Sequence, residues 1–281
     1  MLRDASSDRG LGLYFPLMPR LENHRSGSFC WIELGTTDQN AAKKFYGALF
    51  GWAPDDVPMG PEGVYTLFKL QGRDAAAAYT LRPDQQAMRV PPHWMIYVAV
   101  DSADASAKRA AELGGKVVAG PFDVGPFGRM AVLQDPTGAH FSIWQARENK
   151  GIGISGVAGT LCWADLSTPD PARAGKFYAD LFGWQLVADT DDDPPSDYLH
   201  IKNGEDFIGG VPPASHRDPN VPPHWLAYFE VKDCDASVGK AREIGATCCF
   251  GPTTLEGVGR FAILFDPQKA AFAIFQAMPR K

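Results

Sequence analysis

No stretch of this chain gathers lysine and arginine into a cluster, and the net charge of −6 comes from dispersed acids. A nucleic-acid partner is therefore not expected, because nothing is placed to neutralise a row of phosphates. Cysteine is equally sparse. The five thiols, Cys30, Cys162, Cys234, Cys248 and Cys249, are odd in number and form no C-x-x-C pair. A disulfide framework or a zinc ribbon is thus not expected, and a reducing cytoplasm is the expected location. Long apolar runs are missing too. The only candidate targeting segment, Leu11 to Met18, is short and broken by Gly12 and Pro16, and no small-residue cleavage site follows it. Membrane insertion is not expected.

What the chain does have is a copy of itself. Cys30-Trp31-Ile32-Glu33-Leu34, Asp38, Lys44-Phe45-Tyr46 and Leu49-Phe50-Gly51-Trp52 return as Cys162-Trp163-Ala164-Asp165-Leu166, Asp170, Lys176-Phe177-Tyr178 and Leu181-Phe182-Gly183-Trp184. Further on, Pro91-Pro92-His93-Trp94 matches Pro222-Pro223-His224-Trp225, Gly128-Arg129 matches Gly259-Arg260, and Asp135-Pro136 matches Asp266-Pro267. Two homologous domains in tandem follow. With 281 residues and 45% apolar content, each is long enough to enclose a core. The expected division is an arm over 1–26, domain 1 over 27–148, a glycine-rich linker over 149–156 and domain 2 over 157–281.

Each domain divides again into two halves of one grammar. In the first half a strand over Phe29 to Gly35 leads into a helix capped by Thr37 or Asp38. Its buried face is expected to carry Ala41, Phe45, Ala48 and Leu49, and Gly51 ends it. Strands at Val64–Leu70 and Ala75–Leu81 follow. The second half gives a strand at Met95–Val100, a helix from Asp104 to Leu113, and closing strands at Met130–Leu133 and His140–Trp144 joined by Asp135-Pro136-Thr137-Gly138.

The strand–Asp–helix opening with Phe-Tyr and Leu-Phe-Gly-Trp, and the closing Gly-Arg…Asp-Pro-x-Gly, resemble the vicinal oxygen chelate superfamily of glyoxalase I, bleomycin-resistance proteins and extradiol dioxygenases. The resemblance runs over about residues 28–278 and is closest to two-domain glyoxalase-like members, some labelled "hydroxylase". It implies an α+β fold in which paired βαβββ modules form a curled mixed sheet around a cleft, one per domain. It also implies a divalent metal held by His, Gln or Glu on the strands lining that cleft. The corresponding positions here are Trp31, Met95, Ser142 and one of Ala75–Ala78, and in domain 2 Trp163, Leu226, Ala273 and one of Phe207–Gly210. An indole N–H donates only and cannot replace an imidazole lone pair. No metal or other cofactor is expected. A rebuilt site on His93, Glu33 and His140 is the disfavoured alternative.

Strand alternation identifies what lines the cleft instead. Phe29, Trp31 and Glu33 share a face, as do His93, Met95 and Tyr97, and His140, Ser142 and Trp144. Domain 2 offers Trp163 with Asp165, then His224, Leu226 and Tyr228. Glu33, His93 and Tyr97 are the candidate catalytic groups. Trp31, Met95, Arg129, His140, Ser142, Trp144, Trp163, Asp165, His224 and Tyr228 are the candidate ligand-binding groups. An acid on an apolar strand is costly unless paired, and Arg129 and Arg260 are the candidate partners of Glu33 and Asp165. His140, Ser142 and Trp144 are not duplicated, which favours domain 1 as the specific site. The expected function is binding of a small planar or aromatic molecule in an aromatic cleft by a monomer or homodimer. The alternative is a metal-independent isomerase, cyclase, lyase or hydroxylase-type enzyme, with Glu33 or His93 as base and Tyr97 as acid. A metal-dependent glyoxalase or dioxygenase ranks lowest.

Overall fold

A computed structural model describes residues 23–60, 63–188 and 197–278. The arm expected over 1–26 and the segment Leu11–Met18 fall almost wholly outside the described residues. Domain 1 runs β1 (Phe29–Thr36), α1 (Gln39–Phe50), β2 (Ala53–Pro58), β3 (Val64–Leu70), β4 (Arg73–Thr80), α2 (Pro83–Ala87), β5 (His93–Ala99), α3 (Ala103–Glu112), β6 (Lys116–Val124), β7 (Gly128–Gln134) and β8 (His140–Ala146). Domain 2 repeats this as β9 (Leu161–Ser167), α4 (Pro171–Phe182), β10 (Gln185–Ala188), β11 (Leu199–Asn203), β12 (Asp206–Val211), β13 (His224–Glu230), α5 (Cys234–Glu243), β14 (Thr247–Leu255), β15 (Gly259–Phe265) and β16 (Ala271–Ala277).

The strands form two eight-stranded mixed sheets, ordered β2-β3-β4-β1-β5-β8-β7-β6 and β10-β11-β12-β9-β13-β16-β15-β14. This is the expected α+β architecture. In each sheet the two modules meet along their first strands: β1 runs antiparallel to β5, and β9 antiparallel to β13. The sequence pattern missed β2 and β6. Both are sheet edges with mostly exposed residues, so neither carries the apolar alternation that marks a half-buried strand.

The repeated aromatic motifs join the two domains. Asp38 caps α1 by accepting from the Ala41 amide, and Gly51 ends it at φ 75°, a conformation that favours glycine. The helix buries Ala42, Phe45, Tyr46 and Phe50, while Ala48 is exposed and Ala41 only partly covered. The buried face is thus rotated from the expected one, because the helix also packs against domain 2. The rings of Phe45 and Phe272 lie 6.1 Å apart, and those of Phe50 and Phe229 5.1 Å apart.

The Tyr46 hydroxyl donates to Asp266 Oδ2 at 3.0 Å and accepts from Trp94 Nε1 at 3.1 Å. Its copy, Tyr178, donates to Asp135 Oδ2 at 3.0 Å and accepts from Trp225 Nε1 at 3.0 Å. The other oxygen of each aspartate organises its own turn, with Asp135 Oδ1 taking the amides of Thr137, Gly138 and Ala139. Trp52 and Trp184 likewise cross over, donating to the carbonyls of Gly159 and Gly27 at 2.8 Å each. Every one of these buried polar atoms has a partner, so joining the domains leaves none of them unsatisfied. Glycine-rich though it is, the linker is packed: Ile152 and Ile154 are buried and Ile152 N donates to Cys30 O. No helix among the described residues is long and apolar enough to cross a membrane.

Candidate functional site

Cross-strand register places the inner face of domain 1 residue by residue. Opposite Glu33 stand Ala77 on β4 and Met95 on β5, and opposite Trp31 stands Tyr97. Tyr97 in turn lies opposite Ser142, and Ser142 opposite Val132. At the other end Tyr65, Tyr79, Gly35 and His93 form one row across four strands. Exposure grades along this face. Trp31, Tyr97, Ser142 and Trp144 are buried, whereas Glu33, Tyr79, His93 and Met95 are partly open and His140 is exposed.

At the centre is the Glu33 carboxyl. Tyr65 donates to its Oε2 at 2.6 Å and Tyr97 to its Oε1 at 3.0 Å. Tyr65 also accepts from Trp31 Nε1 at 3.0 Å. Domain 2 rebuilds the cluster with a shorter acid. Tyr198 donates to Asp165 Oδ1 at 2.6 Å, Tyr228 to Oδ2 at 2.8 Å, and the Trp163 N–H is shared between Asp165 Oδ1 and Tyr198 at 3.0 and 2.9 Å. Tyr65 and Tyr198 were missed from sequence. The signal was present, since both follow the helix at nearly the repeat offset, but a partner two strands away has no local signature. His200, on the inner face of domain 2 opposite Gly210, was missed as well; its ring lies 5.0 Å from that of Tyr198.

Burial dominates the electrostatics. It raises the Glu33 carboxyl above its ordinary range, against the hydrogen bonds from Tyr65 and Tyr97 and the more distant charge of Arg82. Asp165 is raised for the same reason, opposed by Tyr198, Tyr228 and Trp163. Burial and then the neighbouring carboxylate push the hydroxyls of Tyr65 and Tyr97 far above the usual phenol value. The Tyr97 proton is therefore given to Glu33, and this geometry does not offer it to a ligand as the acid.

His93 Nδ1 lies 2.8 Å from Pro91 O. The carbonyl can only accept, so the proton sits on Nδ1 and the Nε2 lone pair is left over. Burial holds His93 below the usual imidazole range, and burial followed by the nearby His93 does the same to His140. His224 repeats the arrangement with Pro222 O.

Four expectations need correction. Arg129 does not reach Glu33: it pairs with Asp104 at 2.7 Å and Asp123 at 3.0 Å on the outer face. Arg260 does the same with Asp235 at 2.6 Å. Strand β7 puts Arg129 opposite Gln145 while Val132 faces inward, so the alternation turns the guanidinium outward. Phe29 does not share the face of Trp31, because a register shift between them turns it toward Trp184 and Trp225, 5.6 and 5.5 Å away. Trp144 is no open stacking platform. It is buried, donates to Asn149 O at 3.0 Å and lies flat on Gly128, where a Cβ would collide with its ring.

The positions that carry metal ligands in the resembled family present here an indole, a thioether, a hydroxyl and a methyl. Among the described residues no three His, Cys, Asp or Glu side chains converge as a metal would require. Ser142 Oγ, fully buried beside Tyr97, has no hydrogen-bond partner of good geometry, whereas its domain 2 counterpart is Ala273. Trp163, Leu226, Tyr228, Ala273 and Phe275 form a separate buried apolar cluster on the inner face of domain 2.

The model of the Glyoxalase/Bleomycin resistance protein/Dioxygenase superfamily matches residues 28–143 and again 160–274. The CFP32 protein of Mycobacterium tuberculosis, provisionally named a glyoxylase, is 39% identical over 267 residues, covering 94% of this chain and all of that protein. The anthracycline biosynthesis protein DnrV of Streptomyces peucetius is 35% identical over 266 residues, covering 89% of this chain and 93% of DnrV. Among solved structures, the Mn(II)-bound glyoxalase of Novosphingobium aromaticivorans aligns with TM-score 0.63 at 16% identity, over 92% of this chain and 83% of that one. The 2,3-dioxygenase LapB of Pseudomonas sp. KL28 aligns with TM-score 0.62 at 14% identity, over 91% and 94%. At those identities the likeness is one of fold.

Proposed function

The chain belongs to the Glyoxalase/Bleomycin resistance protein/Dioxygenase superfamily, and we propose that within it this protein binds a small planar or aromatic organic molecule at the inner face of domain 1 without a metal. The observation that carries this reading is the Glu33 cluster: a carboxyl held by two phenols, on a residue only partly covered, at the centre of an aromatic strand face. A largely apolar pocket with a few fixed polar groups is the common form of a small-molecule site.

The donor set does not fit a divalent cation. The positions that would supply imidazole or carboxylate carry Trp31, Met95, Ser142 and alanines, and among the described residues no three His, Cys, Asp or Glu side chains converge on one point. Domain 1 is favoured over domain 2 because Met95 is partly open where Leu226 is buried, and because Asp165 is buried at 7% exposure. DnrV, a relative along nearly the full length, is named for the biosynthesis of a polycyclic aromatic product, which is consistent with an aromatic ligand.

Titration with 2-naphthylmethanol, read by tryptophan fluorescence and isothermal calorimetry, tests the reading. One binding event per chain is expected. Glu33→Gln should keep the affinity of this neutral probe within about threefold, and blocking the inner face by Met95→Trp should abolish it. Binding unaffected by Met95→Trp, or no binding of any planar aromatic, contradicts the reading. A second reading is a metal-independent acid–base enzyme, favoured by the tautomer of His93, whose Nε2 is left as a lone-pair base. In that case His93→Gln should lower turnover roughly 100-fold or more while leaving probe binding intact.

A further inference from the structure

The ligand class can be narrowed by following every proton of the Glu33 cluster, an inference that rests on the proposed site in domain 1. The Tyr97 proton goes to Glu33 Oε1, the Tyr65 proton to Oε2, and the Trp31 proton to the Tyr65 oxygen. These three groups have no other polar hydrogen to give. With the carboxyl ionised, what the cluster has left to offer is therefore lone pairs alone, those remaining on the two carboxylate oxygens. A ligand meeting this surface must bring the proton. A carbonyl, carboxylate or phosphate oxygen would set acceptor against acceptor, which is repulsive and leaves both sides unsatisfied.

Charge selects further among proton donors. Among the described residues no lysine or arginine hydrogen-bonds to Glu33 or lies within ion-pair distance of it. The cation whose charge reaches it, Arg82, directs its guanidinium to Asp84, with Nε 3.3 Å from Oδ1 and Nη2 3.5 Å from Oδ2. A carboxylate in this setting is stabilised by hydrogen bonds but not neutralised. A protonated amine supplies both the missing donor and the missing charge, and the surrounding π faces tolerate a cation. Domain 2 is the internal control. Asp165 accepts three donors rather than two, from Tyr198, Tyr228 and Trp163, and is buried, so it has less left to offer.

We infer that the inner face of domain 1 selects planar molecules bearing a protonated amine, which donates to the Glu33 carboxylate. The test is a matched series, 2-naphthylmethylamine, 2-naphthylmethanol and 2-naphthoate, titrated calorimetrically into the full chain at neutral pH and moderate salt. The amine should bind about tenfold more tightly than the alcohol, and the naphthoate more weakly than either. Glu33→Gln should bring amine and alcohol within about twofold of each other, while Asp165→Asn leaves the preference intact. Should Glu33→Gln fold poorly, the order of the three ligands in wild type, together with an amine preference kept in Asp165→Asn, gives the same answer. Equal binding of amine and alcohol, or a preference for the naphthoate, overturns the inference while leaving the aromatic site standing. If none of the three binds, the proposed function fails with it. An amine preference lost in Asp165→Asn rather than Glu33→Gln also overturns it, since the site would then lie in domain 2.

Discussion

Replacing Tyr65 by phenylalanine removes one hydroxyl and nothing else, yet it breaks two linked hydrogen bonds. The 2.6 Å bond to Glu33 Oε2 is lost, and the Trp31 indole loses its acceptor at 3.0 Å. A hydrogen bond to a charged group contributes about 1.5–3 kcal/mol, and an unpaired buried donor costs about 1–3 kcal/mol. Partial overlap of the two puts the expected destabilisation near 2–4 kcal/mol at neutral pH. Tyr198→Phe makes the same deletion in domain 2, but there Trp163 keeps Asp165 Oδ1 as a second acceptor. Its cost should therefore be smaller by about 1 kcal/mol. Urea unfolding followed by far-UV circular dichroism measures both, with m unchanged if only the native state is affected.

The pH dependence of Tyr65→Phe supplies an independent check. The lost hydroxyl held the Glu33 carboxyl down, so in the variant the burial-raised carboxyl rises further. A carboxyl raised in the folded state gives its stabilisation below its unfolded value and loses it as pH rises through the folded one. The gap between wild type and variant should accordingly open as pH rises from the ordinary carboxylate range toward neutrality. At acid pH the bond to Glu33 is neutral but the Trp31 indole still lacks its acceptor, so the gap should narrow by about 1 kcal/mol rather than close. A Tyr65→Phe protein within 0.5 kcal/mol of wild type at pH 7, or one whose deficit shrinks as pH rises, would refute the reasoning.

Tyr178→Phe removes the bond that ties Asp135 to domain 2, and should cost about 1.5–3 kcal/mol in a single cooperative unfolding transition; two separated transitions in calorimetry would show that the domains do not share a core. Gly210→Ala places a Cβ against the Tyr198 ring, so it should disrupt the Asp165 cluster and lower the melting temperature by several degrees while leaving ligand binding in domain 1 intact. Arg129→Ala should leave probe affinity unchanged within twofold, because the guanidinium faces Asp104 and Asp123; a larger effect would restore it to the site. Burial lowers His93 and His224, so each contributes stability that is full above the usual imidazole value and is lost as pH falls through the folded one. His93→Gln should flatten that acid-side decline in a melting-temperature profile, and an unchanged slope would argue that His93 titrates normally.

The duplication itself was the most legible feature of the sequence, since a repeat of this length carries register as well as residues. It fixed the placement of Trp31 with Glu33 and of Trp163 with Asp165, because strand alternation is a local rule. What escaped were relations across the sheet. Tyr65 reaches Glu33 from two strands away, and nothing in the intervening sequence announces the contact. Phe29 was misplaced because a single register shift reverses every inference upstream of it. Arg129 attracted a pairing with Glu33 on charge alone, although the two sit on opposite faces of the sheet. The buried face of α1 was misjudged because half of its packing partners belong to the other domain.

The most direct test of metal-free recognition is to measure 2-naphthylmethylamine affinity on protein purified without chelator, then on the same protein after exhaustive chelation and dialysis. The account predicts equal dissociation constants and no stoichiometric zinc, nickel, iron or manganese in the untreated sample. Affinity lost on chelation and restored by one equivalent of a divalent cation would contradict it.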